Sequence, residues 1–285
     1  MQYIKQYNSD LFDKILLLQK QEYKRNFIKN IFNRKVFLSK WKEKLIIPPK
    51  EHVDEVVEAA CEYMNISRKE YVEIIEKFTQ SGFEIKECYE NQSQANIFWN
   101  NVNIEWLCIN IYVQSVLYNT AIPIYSTLKK MPLNNLTAYD YGCGSGILSI
   151  LLNKAFHFKK LILADIDNYI AGFVKFYIQK TSAAEIYWEN ILENNRTESF
   201  DLVICLDVLE HLENSYDHLL ILDSKVNKGG IMVLKIAFEH EDKTHLPQAA
   251  EDFFVKNDGM FFLKQKYKRL NYFGGGLVNG VYKKK

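Results

Sequence analysis

Cysteine is scarce and unpaired in this sequence of 285 residues. The five cysteines are widely spaced, their number is odd, and no C-x-x-C pair occurs among them. This usage does not fit a disulfide framework, which needs paired cysteines at regular spacing. We therefore expect reduced thiols and a cytoplasmic protein.

An excess of charge of either sign is also lacking, because 36 lysines and arginines nearly balance 35 aspartates and glutamates. The net charge of +1 gives no electrostatic reason to expect a nucleic-acid partner. Hydrophobic residues make up 48% and charged residues 25% of the chain, which leaves ample material for a core. Composition alone thus predicts a globular protein and does not favour nucleic acid as its partner.

Targeting segments and membrane spans are not evident either. Asp10, Asp13 and Lys14 interrupt any signal-peptide pattern at the N-terminus. The segment Trp106–Leu128 has no charged residue and is long enough to cross a bilayer. It nevertheless contains amides, hydroxyls and Pro123, which would be costly in hydrocarbon. We therefore predict a buried helix there and no membrane span.

What the first half of the chain does contain is helical periodicity. Predicted helices cover about residues 10–44, 51–64, 67–82 and 91–130, and the last of them is broken near 100–103. Ser67 followed by Glu70 is a capping-box signature for the third of these helices. We predict an all-helical N-terminal cap, or substrate domain, over residues 1–132.

From residue 133 to residue 285 the pattern changes to short apolar runs that alternate with helical segments. The predicted strands are 138–141, 161–165, 185–188, 202–206 and 231–236, and the predicted helices are 146–156, 168–180, 216–226 and 247–256. Such alternation indicates an α/β fold with a parallel sheet covered on both faces. Residues 260–270 and 277–283 flank a glycine turn and are predicted to form an antiparallel hairpin at the sheet edge.

The stretch Leu136–Ile150, LTAYDYGCGSGILSI, is the most informative part of the sequence. An apolar strand ends in Asp140, and Gly142, Gly144 and Gly146 form a turn before a helix begins. Glycines suit a turn where a ligand approaches the main chain, and the helix N-terminus would offer free N–H groups to that ligand. The spacing D-x-G-x-G-x-G resembles motif I of class I S-adenosylmethionine-dependent methyltransferases more than the dinucleotide fingerprint G-x-G-x-x-G.

A second acidic position follows one strand–helix–strand unit later. Asp165 ends the next apolar strand, 25 residues after Asp140. In nucleotide-binding sheets an acidic side chain at this strand end accepts hydrogen bonds from both ribose hydroxyls. We favour Asp165 over Asp167 for this role, because Asp167 is well placed to cap the next helix. The alternative is that both aspartates are helix caps.

The stretch Phe200–Asn214, FDLVICLDVLEHLEN, resembles motif IV of small-molecule methyltransferases with its V-L-E-H turn. Asp207, Glu210 and His211 are the catalytic candidates, since ligands bind at the carboxyl edge of a parallel sheet. His211 is the predicted general base, because a neutral imidazole can take a proton from a hydroxyl near pH 7. The alternative is that Glu210 and His211 only hold the loop through backbone hydrogen bonds.

The methyltransferase resemblance implies a Rossmann-like sheet of seven strands, mostly parallel, with an antiparallel C-terminal hairpin. It implies S-adenosyl-L-methionine as cofactor, with its amino-acid end at the glycine turn, its ribose at Asp165 and its adenine at Glu189 or Asn190. The cofactor-binding residues predicted in this way are Asp140, Gly142, Gly144, Gly146, Asp165, Ile166, Glu189, Asn190 and Leu206.

A divalent metal is an alternative that the sequence does not favour. The order Asp207-x-x-Glu210-His211, with His240 and His245, resembles the E-x-x-E-H…H arrangement of metal-dependent RNA 3′-terminal methyltransferases and, in part, of ubiquinone-pathway O-methyltransferases. Carboxylate and imidazole ligands suit a cation that polarises a substrate oxygen. Asp207 stands where that pattern has a glutamate, and V-L-E-H also occurs in relatives without metal.

Substrate selection is expected from the helical N-terminal half, which must cover the open edge of the sheet. Asn110, Gln114 and Tyr118 follow one helical face and are predicted to contact substrate, as is His240. The alternative for this polar stripe is a set of buried amides bonded to neighbouring helices.

The sequence thus predicts an enzyme that moves the methyl group of S-adenosylmethionine to an O, N or C nucleophile of a small molecule such as a secondary metabolite. An RNA or peptide methyltransferase is the first alternative. A non-catalytic regulatory protein that binds S-adenosylmethionine is the second. The sequence predicts no oligomeric state.

Overall fold

The structure is a computed structural model of the chain, and it describes residues 50–81, 90–116, 124–130, 135–193, 197–238, 245–272 and 277–285. The helix predicted at about residues 10–44 lies outside these ranges, as do Tyr118 and His240. The cysteines within the described ranges are Cys61, Cys108, Cys143 and Cys205; all four are buried and none forms a disulfide.

The described part of the N-terminal half is helical. Its elements are α1 (Lys50–Met64), α2 (Arg68–Ser81), α3 (Gln92–Asn100) and α4 (Ile104–Val116), and residues 124–128 are helical as well. The break predicted near residues 100–103 is therefore confirmed. The capping box is present before α2, because Ser67 N–H donates to Glu70 Oε2 (2.7 Å) while Glu70 N–H donates to Ser67 Oγ (3.2 Å). Among the described residues, no helix is long and apolar enough to cross a membrane.

The remainder of the chain alternates strands and helices and ends in two strands. The elements are β1 (Thr137–Tyr141), α5 (Ile147–Phe156), β2 (Lys160–Asp165), α6 (Tyr169–Thr181), β3 (Ile186–Asn190), β4 (Phe200–Leu206), α7 (Ser215–Lys225), β5 (Val226–Lys235), α8 (Pro247–Ala250), α9 (Gly259–Lys266), β6 (Tyr267–Tyr272) and β7 (Gly280–Lys284). They form a seven-stranded sheet in the order β3-β2-β1-β4-β5-β7-β6. The first five strands in this order are mutually parallel, and β7 is antiparallel to both of its neighbours. The predicted Rossmann-like sheet with an antiparallel C-terminal hairpin is confirmed.

The central strands are apolar without interruption because both faces of the sheet are covered. Leu161–Ala164 in β2 and Leu202–Cys205 in β4 have no exposed surface. On one face, α1 and α4 share a hydrophobic core with α5, α6 and the sheet. Tyr63 of α1 also donates a hydrogen bond to the carbonyl of Tyr169 at the start of α6 (3.2 Å). The N-terminal helices thus pack against the helices beside β1 and β2, which brings α3 and α4 to the sheet edge described below.

One predicted strand is wrong at its start. Residues 259–266 form helix α9, and only the residues from Tyr267 onward enter the sheet as β6. Asp258 begins this helix because its side chain accepts a hydrogen bond from Phe261 N–H (3.0 Å). Leu263 is buried on the inner side of the helix, at 1% exposure. The alternation of apolar and polar residues here reflects a short helix with one buried side rather than a strand.

Candidate active site

A pocket of about 230 Å³ lies at the carboxyl ends of the parallel strands. The turns after β1, β2, β3 and β4 form one side of it, and residues of α3 and α4 form the other. In open α/β sheets, ligands bind at the carboxyl ends of the strands, at the point where the strand order reverses. Of the predicted site residues, the pocket is lined by Asn110, Gln114, Asp140, Gly142, Gly144, Asp165, Ile166, Leu206, Asp207 and His211.

The turn after β1 requires its glycines for two reasons. Gly142, Gly144 and Gly146 all have positive φ, between 54° and 68°. A Cβ atom at residue 142 would lie 2.3 Å from a methyl group of Val208, and one at residue 144 would lie 2.8 Å from the side-chain amide of Asn110. Val208, which follows β4, and Asn110 of α4 thus pack against this turn. Gly146 packs on Leu163 beneath the turn and does not line the pocket.

The N–H groups of this turn already have protein partners. Gly142 and Cys143 both donate to the carbonyl of Ala164 (2.8 and 3.1 Å), and Gly146 donates to the carbonyl of Cys143 (2.9 Å). Gly144 N–H donates to Asp165 Oδ2 (2.7 Å). Ser145 N–H donates to Asn110 Oδ1 (2.8 Å). Each N–H group of the turn, from residue 142 to residue 146, thus has a protein acceptor.

Asp140 is a buried carboxylate at the base of the pocket. Its Oδ2 accepts a hydrogen bond from Ser149 Oγ (2.6 Å). Burial raises the pKa of Asp140 to about 7, and the negative charge of Asp165 acts in the same direction. A positively charged group in the pocket would favour the ionised form of Asp140.

Asp165 connects the turns after β1 and β2. Its Oδ2 accepts from Gly144 N–H and its Oδ1 accepts from Ile166 N–H, both at 2.7 Å. Burial raises its pKa to about 6, although these two hydrogen bonds oppose the shift. Asp167 instead pairs with Lys175 (2.6 Å) on the surface, and the cap of α6 is Asn168, which accepts from Ala171 N–H (3.0 Å). The helix-capping role expected of Asp167 therefore belongs to its neighbour.

Glu189 and Asn190, the residues predicted to contact the adenine, do not line the pocket. Glu189 is buried on a face of the sheet and accepts a hydrogen bond from the Tyr139 hydroxyl (2.7 Å). Asn190 uses its side chain within its own turn, where its Oδ1 accepts from Leu192 N–H (3.1 Å). Ile191, the next residue, lines the pocket. Because side chains alternate between the two faces of β3, the Glu189 side chain points into the core. The first residue of this segment to line the pocket is Ile191, which follows the strand.

Asp207, Glu210 and His211, the three predicted catalytic residues after β4, have different surroundings. Asp207 has a φ of 55°, lines the pocket and forms an ion pair with Lys235. Glu210 has no exposed surface and accepts from Ala237 N–H (3.0 Å), and burial beside the charge of Asp207 raises its pKa. Glu210, which the sequence predicts to be catalytic, does not line the pocket.

His211 lines the pocket between two aromatic neighbours. Its ring centroid is 5.1 Å from that of Trp99 and 5.2 Å from that of His245. His245 is brought there because Leu246 N–H donates to the carbonyl of Glu210 (2.9 Å). Ligand atoms of Glu210, His211 and His245 lie within 4.8 Å of one another. Three of the five candidate metal ligands are thus together, whereas Asp207 is paired with Lys235 and His240 lies outside the described residues.

Helix α3 covers the pocket, a feature that sequence reasoning missed. Gln92, Asn96 and Trp99 of this helix line the pocket. Gln92 exchanges hydrogen bonds with Glu213, since each backbone N–H donates to the other side chain (2.7 and 2.9 Å). The Trp99 carbonyl accepts from Asn168 Nδ2 (3.2 Å), so α3 is bound to the turns after both β2 and β4. These contacts join residues far apart in the chain, and no local pattern marks them.

Asn110 and Gln114 of α4 face the glycine turn. Gln114 Nε2 donates to the carbonyl of Cys143 (2.9 Å), and Asn110 Oδ1 accepts from Ser145 N–H. Both residues line the pocket, as expected, but they contact the turn after β1 rather than the acceptor side formed by α3 and His211. Asn110 and Gln114, two of the predicted substrate-contacting residues, thus line the pocket and also hold the turn after β1.

The chain is similar to known methyltransferases. A family model described as a methyltransferase domain matches residues 129–270. A ribosomal RNA small subunit methyltransferase C of Buchnera aphidicola is 32% identical over 158 residues, which are 52% of this chain and 47% of that protein. A tRNA U34 carboxymethyltransferase of Shewanella sediminis is 31% identical over 46% of this chain and 40% of its own length.

A third relative is named for ubiquinone biosynthesis rather than for RNA modification. A ubiquinone biosynthesis O-methyltransferase of Rickettsia bellii is 26% identical over 36% of this chain and 42% of its own length. The chain thus spans less than half the length of each of these curated relatives. Among solved structures, a ribosomal protein L11 methylase of Lactobacillus delbrueckii aligns with a TM-score of 0.41 and 18% identity, over 59% of this chain and 79% of that one.

Proposed function

Because the chain belongs to the class I S-adenosylmethionine-dependent methyltransferases, we propose that it methylates a small molecule held between α3 and the turn after β4. One observation carries the proposal: the pocket has two chemically different ends. Asp140, Asp165 and the glycine turn form the first, which we call the cofactor end. Trp99 and His211, with the amides of α3, form the second, which we call the acceptor end.

The cofactor end offers a partner for the polar parts of S-adenosylmethionine. Asp165 suits the ribose hydroxyls, since each carboxylate oxygen keeps a lone pair beyond the backbone bond that it accepts. Asp140 suits the ammonium group, because a cation compensates a buried carboxylate. Ile166, Ile191 and Leu206 offer apolar contacts to the adenine ring. When bound, the cofactor supplies an electrophilic methyl group on a positively charged sulfur.

His211 is the proton acceptor of the proposed reaction. Its ring lies edge to face with Trp99, and its carbonyl accepts a hydrogen bond from Gln92 Nε2 (3.3 Å), so α3 holds it in place. A neutral imidazole here takes the proton of an acceptor hydroxyl as the oxygen gains its methyl group. The indole of Trp99 and the amides of Gln92 and Asn96 suit a flat acceptor that carries polar groups.

A divalent cation is the second way in which these residues could activate a hydroxyl. One carboxylate and two imidazoles are suitable ligands, and within the described part of the chain Glu210 Oε2 is buried without a hydrogen-bond partner. Glu210, His211 and His245 would hold such an ion, which would lower the pKa of a bound hydroxyl. The two mechanisms differ in their sensitivity to chelators.

The charge around the pocket supports a small molecule over RNA. No lysine or arginine of the described residues lines the pocket. The exposed lysines of the C-terminal hairpin lie toward the other end of the sheet, since Lys283 is opposite Ile231, which itself pairs with Leu202 near the start of β4. RNA binding relies on basic groups along the path of the backbone. The RNA-modifying relatives make RNA the second candidate acceptor.

A turnover assay tests the proposed function. Purified protein and S-adenosylmethionine are incubated with a panel of hydroxylated aromatic compounds or with tRNA and ribosomal RNA, and released S-adenosylhomocysteine is measured. We expect turnover in the small-molecule arm only. Turnover with RNA alone would overturn the small-molecule acceptor, and S-adenosylhomocysteine binding without turnover in either arm would favour a regulatory protein.

A further inference from the structure

The carboxylate of S-adenosylmethionine needs a donor that the glycine turn does not offer. The described N–H groups from Gly142 to Gly146 are all engaged by protein oxygens. Asp140 and Asp165 also line this end, and their carboxylates would repel that of the cofactor. A neutral or cationic donor must therefore come from another element that lines the cofactor end.

Asn110 of α4 is such a donor, and its orientation is defined chemically. A backbone N–H can be accepted only by the oxygen of a side-chain amide, so the bond from Ser145 N–H places Oδ1 toward the turn. The amide nitrogen, Nδ2, is then available to donate to a ligand. It has no hydrogen-bond partner among the described residues, and it is accessible to solvent. Asn110 lines the pocket.

The neighbouring residues hold this amide at the turn. Gln114, one helical turn further along α4, donates to the Cys143 carbonyl (2.9 Å). A Cβ atom at residue 144 would come within 2.8 Å of both Nδ2 and Oδ1 of Asn110, so glycine at this position lets the amide lie directly against the turn. Asp140, the expected partner of the ammonium group, lines the same pocket.

On the basis of S-adenosylmethionine as cofactor, we propose that Asn110 binds the carboxylate of its methionine part through Nδ2, with Asp140 binding the adjacent ammonium group. Helix α4 is then part of the cofactor site and not only of the substrate cap. A hydrogen bond to a carboxylate is stronger than one between neutral groups, so a single amide has a measurable effect on affinity.

Calorimetry with two ligands tests this assignment. S-adenosylhomocysteine carries the amino-acid part, whereas methylthioadenosine keeps the adenosine and the sulfur but lacks it. Asn110→Asp keeps an oxygen for Ser145 N–H and replaces the donor with a negative charge. We expect it to weaken S-adenosylhomocysteine binding by more than about tenfold while methylthioadenosine binding stays within about twofold.

Other outcomes overturn the proposal. Equal losses for both ligands would mean that Asn110 only supports the turn, and no loss for either would remove it from the cofactor site. Asn110→Ala is the second variant and should also weaken S-adenosylhomocysteine more than methylthioadenosine. Asn65→Asp makes the same amide-to-acid change at an exposed position after α1 and should leave both affinities unchanged. Wild-type protein that bound neither ligand would instead contradict the cofactor itself.

Discussion

The two ends of the pocket are assembled in different ways. At the cofactor end, Asp140 is the next-to-last residue of β1 and Asp165 is the last residue of β2, and Gly144 N–H in the turn after β1 donates to Asp165. At the acceptor end, His211 is positioned by Gln92 and Trp99, and the Gln92 contact spans 119 residues of sequence. A short motif therefore specifies much of the first end, whereas the second depends on a helix from the other half of the chain. Substitutions at the two ends should consequently affect different constants.

The largest effect is expected at the acceptor end. His211→Asn should lower kcat by about a hundredfold or more, because a general base typically contributes at least that factor, and it should leave S-adenosylhomocysteine affinity unchanged. Steady-state kinetics and calorimetry measure the two constants. His157→Asn makes the same change at an exposed position with a φ of 52°, which asparagine tolerates, and should be neutral.

Chelation decides between the two mechanisms at this end. If His211 acts as a base, protein treated with EDTA keeps full activity without added cation, and His245→Asn lowers kcat only slightly. Loss of activity with EDTA, restored by a divalent cation, together with an equal loss in His245→Asn, would assign the three residues Glu210, His211 and His245 to a metal.

The next largest effect is expected at the cofactor end. Asp165→Ala should weaken S-adenosylhomocysteine binding by about tenfold or more, because the ribose loses its acceptor and Gly144 N–H loses its partner. Asp167→Ala is the matched control, since Asp167 faces Lys175 on the surface. Unchanged affinity in Asp165→Ala would remove the ribose assignment.

The same contrast explains which predictions from sequence were confirmed. The alternation of strands and helices, the antiparallel hairpin and the break between α3 and α4 follow from periodicity and from glycine and capping residues that act locally. Periodicity does not show that Glu189 packs in the core while Ile191, just after β3, lines the pocket. The contacts of Asn110 were also missed, since helical periodicity says which residues share a face but not which loop that face meets.

The pH dependence of cofactor binding provides a test specific to the cofactor end. Burial raises the pKa of Asp140 to about 7 and that of Asp165 to about 6 in the free protein. An ammonium group and hydroxyl donors prefer the ionised carboxylates, so binding lowers both pKa values and releases protons. Affinity for S-adenosylhomocysteine should therefore rise several-fold from pH 5 to pH 8 and then level off. Asp140→Asn should make affinity depend less on pH. A pH dependence equal to that of the wild type would mean that Asp140 does not interact with the ligand.

The smallest effect is expected from the contact that joins α3 to the turn after β4. Gln92→Ala removes hydrogen bonds to His211 and Glu213 without touching the cofactor end. With the acceptor found in the turnover assay, KM for that acceptor should rise by about fivefold, as expected for about 1 kcal/mol of hydrogen bonding, while S-adenosylhomocysteine affinity stays constant. Gln94→Ala, on the exposed side of the same helix, should change neither constant. A fall in cofactor affinity equal to the rise in acceptor KM would show that the two ends are coupled through α3. If α3 contacted only the acceptor, the substitution could not alter cofactor binding.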